Sequence, residues 1–412
     1  MVDSAIANAA LMGRSGLWTV AWQDGQITHV QADAVAAQTT LDAQGQLLVP
    51  GFVDAHIHLD KALLLSRSPA QTGDFAEALA QTLHLKKQYT VADIQRRARL
   101  VLDRAIAFGV TAMRCHVEVD PILGLTAMTA LLPLQQAYAP AITLQLAVFA
   151  QEGITNQPGT EALLRQAMDL GGNVIGSAPY VDPAPRHNIE IIFDIAQAYD
   201  CDVDFHLDFL DDDQPLQLPL VMAETQRRQW QGRVCLGHMT KLASLSPPDL
   251  QAIAVDLAAA GIAVLALPAS DLYMMARRDT HNVRRGVAPL HQLHQSGVTV
   301  GTATNNIQNL FTPFGDGDML KMGTLLAQVL QLGTAAQHEF CLNLTTQYAA
   351  QAIGIHDYGI VPGSAADFVL LEAGSASEAI ATAPPSRTVF KGGQMVAQTR
   401  LQQTLSDIIR PT

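Results

Sequence analysis

Eight short apolar runs recur between residues 51 and 306, and a helix-like stretch follows most of them. In order they read GFVDAHIHL, VTAMRCHVEVD, ITLQLAVFAQEG, NVIGSAPYV, CDVDFHLDF, GRVCLGHMT, GIAVLALPASD and VTVGTATNN. The intervening segments include VADIQRRARLVLDRAIAFG, EALLRQAMDLG, IEIIFDIAQAYD and DLQAIAVDLAAAG. They carry apolar residues three and four apart and often close on glycine, the helical period with its usual stop. Strands that are apolar through their middles are covered on both faces, as in parallel sheets. Eight such units over roughly 280 residues predict an α/β architecture, a (β/α)8 TIM barrel. A doubly wound sheet is the alternative, but it calls for a glycine-rich phosphate turn after its first strand. Here the first strand ends in histidines.

Both ends of the chain have a different texture. LWTVAWQDGQITHV and TTLDAQGQLLVP stand at the start, DFVLLEA and TVFKGGQMVAQ near the close. Asp24–Gly25 and Gly392–Gly393 each separate two alternating runs and read as hairpin turns. The expected organisation is a barrel over residues 51–357 and a small β-sandwich domain contributed by residues 1–50 and 358–412.

Composition narrows the function classes. Hydrophobic residues make up 49% and charged residues 15% of the 412, as in a well-buried globular protein. A net charge of −13 argues against nucleic acid as a partner, because phosphate binding needs a basic face. No apolar run approaches the ~20 residues that span a bilayer, so no membrane partner is expected. MVDSAIANAALMGRSG lacks the charged and apolar regions of a signal peptide. Cys115, Cys201, Cys235 and Cys341 lie far apart without a CxxC pair and read as buried free thiols. A cytoplasmic location is the expectation.

In a (β/α)8 barrel, function gathers at the C-terminal strand ends, and the polar residues fall there. Strand one ends in His56, His58, Asp60 and Lys61, and strand two in His116, Glu118 and Asp120. Strand three supplies Gln151 and Glu152, strand five His206 and Asp208, strand six His238, and strand eight Asn305. Side chains two apart on a strand share a face, so His56 and His58 can chelate one divalent ion at ~2.0–2.1 Å. A single buried histidine is ordinary packing. Several at the same end of successive strands point to a metal centre.

The ordered set PGFVDAHIHLDK, HVEVD, FAQEGI, HLDF, GHMT and PFGDGDM, with the tail YGIVPGSAADFVLL, resembles the amidohydrolase superfamily. More narrowly it is similar to the branch of cytosine deaminase and N-isopropylammelide isopropyl amidohydrolase. The resemblance implies a homo-oligomeric hydrolase of carbon–nitrogen bonds, using one divalent ion, zinc or iron. It implies His56, His58 and His206 as metal ligands, with the strand-eight residue, Asn305, as the fourth position. His238 would polarise the hydrolytic water or the tetrahedral intermediate. Gln151 would hold a carbonyl or ring amide of a small nitrogenous substrate. Lys61, directly after HIHLD, matches the ammelide hydrolase more than cytosine deaminase and joins the expected catalytic set. NVIGSAPYV contains no lysine, so the carbamylated bridge of binuclear members is absent.

Two positions depart from that pattern. Where the family places a carboxylate that accepts and returns a proton, this chain has Asn305, whose amide takes up no proton near neutrality. The sequence leaves open whether Asn305 is native or introduced, and whether it merely turns a loop. Phe209 stands where cytosine deaminase has a glutamate three residues after the strand-five ligand, which counts against cytosine and favours an apolar wall for a flat ring or an alkyl group. Asp208, Phe209, Gln151 and His116 are the expected substrate contacts, with Tyr273 and Met274 or Met275 on the strand-seven wall. Asp60 is expected to orient Lys61 or a ligand, Asp211–Asp213 to form a solvated loop, and Asp316 or Asp318 to cap a helix. The leading expectation is deamination or dealkylation of an aminated heterocycle. The competing one is a catalytically silent ligand-binding relative. A barrel aldolase or isomerase lacks its phosphate-binding glycine turn.

Overall fold

A computed structural model describes residues 1–209 and 212–405, which leaves Asp211 of the acidic run outside the described residues. All eight expected runs are strands. They are β6 (Phe52–Ile57), β7 (Val110–Glu118), β8 (Thr143–Ala150), β9 (Val174–Ser177), β10 (Asp202–Leu207), β11 (Val234–His238), β12 (Ile262–Ala266) and β13 (Val300–Thr302). Each pairs in parallel with the next, in chain order from β6 to β13. The ring is drawn together by an isolated parallel bridge between Ile57 and Asn305. Strands β6 and β7 are buried at every residue, as the covered faces of a barrel require. Close packing inside the ring depends on glycine at one place in particular. A Cβ on Gly237 would stand 2.9 Å from the His56 ring, so β11 leaves that imidazole its room.

The outer helices start where the sequence places caps. Thr90 accepts from the Asp93 N–H to open the helix Val91–Ala107, whose Ile94, Ala98, Val101, Leu102 and Ala105 face inward. Ser246 does the same for Pro247–Ala259, with proline tolerated in a first turn that has no N–H partner anyway.

The terminal segments supply the second sheet: β1 (Val2–Leu11), β2 (Trp18–Gln23), β3 (Gln26–Gln31), β4 (Ala37–Asp42), β5 (Leu47–Pro50), β14 (Phe368–Leu371), β15 (Arg387–Lys391) and β16 (Gln394–Thr399). Its order is β16-β15-β14-β5-β1-β2-β3, with β4 parallel to β1. Both expected hairpins are present, β2–β3 and β15–β16. In a flat sheet, β2 and β14 would lie ~14 Å apart, three strand spacings. The Trp22 ring on β2 instead sits 5.3 Å from Phe368 on β14 and 5.9 Å from Phe390 on β15. The sheet folds over itself into two layers around those rings, the small sandwich that the chain's ends were expected to make.

Asp318 fulfils its capping role at the helix Met319–Val329, accepting from the Leu320 N–H. It also receives both terminal nitrogens of Arg387 from β15, at 2.7 Å each, which ties the sandwich to the barrel. All four cysteines are buried free thiols. Among the described residues, no helix is long and apolar enough to cross a membrane.

Candidate active site

Strand β6 delivers His56 and, one residue past its end, His58, and β10 delivers His206. The Nε2 atoms of His56 and His58 each lie 3.0 Å from Nε2 of His206. Burial first, then neighbouring imidazoles and Lys61, holds His56 and His58 well below the usual imidazole range. Burial and the surrounding imidazoles do the same to His206. Neutral rings bring lone pairs toward one another at the centre. Ligands ~2.0–2.1 Å from a shared ion stand ~3 Å apart, so His206 is spaced to share a divalent cation with His56 and with His58. Nitrogens of His56, His206 and His238 also lie within 4.8 Å of one another.

The rim of this centre comes from β11, β12 and β13. His238 has a left-handed backbone (φ 74°), uncommon outside glycine and a mark of sites where geometry is imposed. Its Nδ1 lies 2.7 Å from Asp271, which also accepts the Leu267 N–H, leaving Nε2 for the pocket. Asn305 donates from Nδ2 to Ser270 Oγ at 2.8 Å, while its Oδ1 is buried without a partner. An orphaned amide oxygen beside three neutral imidazoles suits a position next to a cation. Strand β9 ends in Ser177, bonded to Asn188, so no lysine reaches the centre from there.

Lys61 forms an ion pair with Glu118 and donates to Gln151 Oε1 at 2.9 Å. Behind it, Lys86 reaches Glu118, Asp120 and Glu152 at 2.7, 2.9 and 2.5 Å. Burial opposes the charge on Glu118, yet Lys61 and Lys86 outweigh it and pull the carboxyl down to about 2. Glu152, where burial prevails over Lys86, is pushed up to about 7. Asp60, expected to orient Lys61 or a ligand, accepts the Glu118 N–H at 2.8 Å and lies close enough to Lys61 for their charges to interact.

The pocket over the histidines is narrow, about 20 Å³, and Lys61, Gln151, Phe209, His238, Asn305 and Asn306 are among its walls. Phe209 lies 4.1 Å from the His238 ring and packs with Phe75 and Tyr180, giving the expected apolar aromatic wall. Of the strand-seven candidates, Met274 lines the pocket while Tyr273 and Met275 stand outside it.

Two expected substrate contacts are placed elsewhere. His116 is fully buried beneath the centre, stacked 3.8 Å from His56 with Nε2 3.3 Å from Asp204. Its strand continues past it, so the ring points into the barrel layer below the pocket. Asp208 turns away because its backbone is left-handed (φ 47°), and its carboxylate accepts the N–H groups of Gln217 and Leu218. Sequence reasoning missed Asp204, Asp271, Ser270, Asn306, Tyr180 and Lys86. Asp204 had a signal, standing two residues before His206 and therefore on the same strand face. Ser270 and Asp271 lie on the short helix Pro268–Met274 that follows strand seven, Tyr180 in a single helical turn, Lys86 at the end of a distant helix and Asn306 in a loop, where strand spacing does not apply.

Comparison with known proteins agrees with this geometry. The profile of the amidohydrolase family matches residues 39–397. N-isopropylammelide isopropyl amidohydrolase of Pseudomonas sp. (strain ADP) is 27% identical, over 96% of this chain and 97% of that protein. Pterin deaminase of Rhizobium rhizogenes is 28% identical, over 90% of this chain and 86% of its own length. The crystal structure of 5-methylcytosine deaminase from Klebsiella pneumoniae liganded with 5-fluorocytosine superposes with a TM-score of 0.93 at 29% identity, covering 98% of this chain and all of that one. With eight parallel strands, histidines at several of their ends and a family match over residues 39–397, the chain belongs to the amidohydrolase family, as a hydrolase of carbon–nitrogen bonds other than peptide bonds.

Proposed function

We propose that the chain is built for metal-dependent hydrolysis of a C–N bond on a small aminated heterocycle, by deamination or dealkylation. The observation that carries this reading is the placement of the His56 and His58 Nε2 atoms each 3.0 Å from His206 Nε2, beneath an aromatic-walled pocket. His56, His58 and His206 would hold one divalent ion. When bound, such an ion supplies Lewis-acid activation of water near neutral pH. His238, fixed by Asp271, presents Nε2 to the reacting carbon's substituents and holds or yields a proton there. Lys61 and Gln151, locked to each other, face the ring's polar edge, and Phe209 covers a flat face. The names of the relatives, which act on an ammelide, a pterin and 5-methylcytosine, support a nitrogen heterocycle as substrate class.

Asn305 limits this machinery. Its amide can accept a hydrogen bond but cannot carry a proton from water to the leaving amine. A second reading, ligand binding without turnover, is favoured by that residue alone. One comparison separates the two: the chain and its Asn305→Asp form, each loaded with zinc or iron, assayed for metal content and for amine or ammonia release from aminated pyrimidines, pterins and triazines. Release from the aspartate form supports a hydrolytic site held back at one residue. Metal retention with no release from either form would leave the silent reading standing, and failure of both forms to retain any divalent metal would sink the hydrolase reading.

A further inference from the structure

We propose that the cavity above the pocket is a subsite for a carboxylate arm on the substrate, recognised by Arg277 and Arg278. The proposal rests on the heterocycle reading above and narrows it. The inner pocket shares Phe75, Phe209 and Met274 with an outer vestibule of about 500 Å³. A substituent that leaves a ring between those three side chains therefore enters the vestibule. Its walls carry four charged residues: Asp74, Asp212, Arg277 and Arg278.

The two acids are already engaged. Asp74 caps the helix Phe75–Lys86, accepting the Glu77 N–H at 2.8 Å. Asp212 receives Lys241 at 2.5 Å. Nearby Asp279 is held by Arg284 at 2.8 Å and so does not reach the two arginines' charge. Arg277 spends its Nε on the Tyr273 carbonyl and lies 4.7 Å over that ring, which parks the guanidinium while both terminal nitrogens stay available. Neither Arg277 nor Arg278 forms an ion pair with a carboxylate among the described residues. On a chain of net charge −13, two guanidinium groups line the mouth of the pocket, Arg277 close enough to Asp74 for their charges to interact and Arg278 without an ion pair among the described residues, and together they offer an anion a local cationic focus. Planar guanidinium forks match a carboxylate in two-point contact, where a lysine would offer only a point charge. The apolar ring seat below and the cationic mouth above together describe an aminated heterocycle with a carboxylate on the edge remote from the scissile nitrogen.

The test uses matched probes: pterin against pterin-6-carboxylate, and cytosine against cytosine-5-carboxylate, titrated calorimetrically into the zinc-loaded chain. The carboxylate-bearing member of at least one pair should bind about tenfold tighter at low salt, the scale of one charge-assisted contact, and the gap should shrink as salt rises. In Arg277→Ala/Arg278→Ala, checked for an unchanged circular dichroism melt, the affinity ratio should fall to within about twofold of unity. Equal affinities within both pairs, or a preference that survives in the double variant, overturns the proposal while leaving the heterocycle reading intact. No binding by any of the four probes overturns the proposal and leaves the heterocycle reading to the amine-release assay, which also includes triazines.

Discussion

The backbone N–H of Asn305 donates to the carbonyl of His56 at 2.8 Å, and the Asn305 carbonyl accepts the His58 N–H at 2.9 Å. Asn305 is thus the stitch between the last barrel strand and the His56–His58 pair. Its backbone is left-handed, with φ 62°, a conformation that Asn and Asp adopt readily and most residues do not. The turn-forming reading of Asn305 therefore holds at its backbone, and its side chain is left for the proposed site.

This duality predicts how substitutions at 305 divide. Asn305→Asp keeps the backbone conformation and should unfold within about 0.5 kcal/mol of the parent once a divalent ion is bound. In the proposed mechanism it should raise amine release by ~10²–10⁴-fold, the usual scale of a positioned general base. Asn305→Ala should be inactive and less stable by about 1–2 kcal/mol, because alanine pays for the left-handed turn. Denaturant melts and single-turnover assays on the two variants check both halves.

The His238–Asp271 contact predicts a kinetic signature. Asp271 holds one tautomer by accepting from Nδ1, and it is itself anchored by the Leu267 N–H. Asp271→Asn, placed in the Asn305→Asp background, should lower kcat by ~10–100-fold, as loss of a group orienting an active-site histidine typically does. KM should stay within about threefold, since Asp271 touches no substrate. A change confined to KM would assign Asp271 to the pocket's shape instead.

The buried cluster of Lys86 with Glu118, Asp120 and Glu152 makes stability depend on pH. Burial lifts Glu152 from an ordinary 4.5 to about 7, so the folded state holds its proton more tightly than the unfolded chain. The associated stability is fully present below about 4.5 and disappears as pH rises through about 7. Glu118 has the opposite sign: pulled down to about 2, it contributes above about 4.5 and loses that contribution as pH falls through about 2. Glu152→Gln should therefore gain in melting temperature relative to the parent between pH 5 and pH 8. Lys86→Met should cost about 3–5 kcal/mol at pH 8, the scale of stranding buried charges, and less at pH 5. Thermal melts at the two pH values measure both differences.

How much of this was legible in the sequence depends on the kind of signal. The barrel was readable because each covered strand is an apolar run with a polar end, and the strand period places His56 with His58 and His206 at matching heights. Asn305 was readable as an exception because the family resemblance places a carboxylate at that strand end. His116 looked equivalent to the other strand-end histidines, since spacing cannot tell that β7 runs on to Glu118 and leaves its ring one layer down. Asp208 followed its ligand by two residues, but a left-handed backbone at that residue breaks the alternation on which the inference depended. Lys86, Asp271 and Arg277 sit on a helix or in loops whose packing direction is a tertiary outcome. Their partners lie up to 66 residues away for Lys86 and 33 for Asp271.

The junction between the two sheets offers a last test, centred on Arg387. Its guanidinium is buried, doubly bonded to Asp318 at 2.7 Å, and its remaining donors go to the carbonyls of Phe108 and Pro384 at 2.7 and 2.8 Å. Removing it strands a buried carboxylate that also caps the helix Met319–Val329. Arg387→Met should destabilise the chain by about 3–5 kcal/mol, the range for breaking a buried pair from one side. Paired replacement, Arg387→Met with Asp318→Asn, should recover part of that loss, because the amide retains a cap without an unpaired charge. Hydrogen exchange gives the spatial check. Protection should fall first in β14, β15 and β16, while the β6–β13 amides around the histidines keep theirs, since their hydrogen bonds close within the barrel itself.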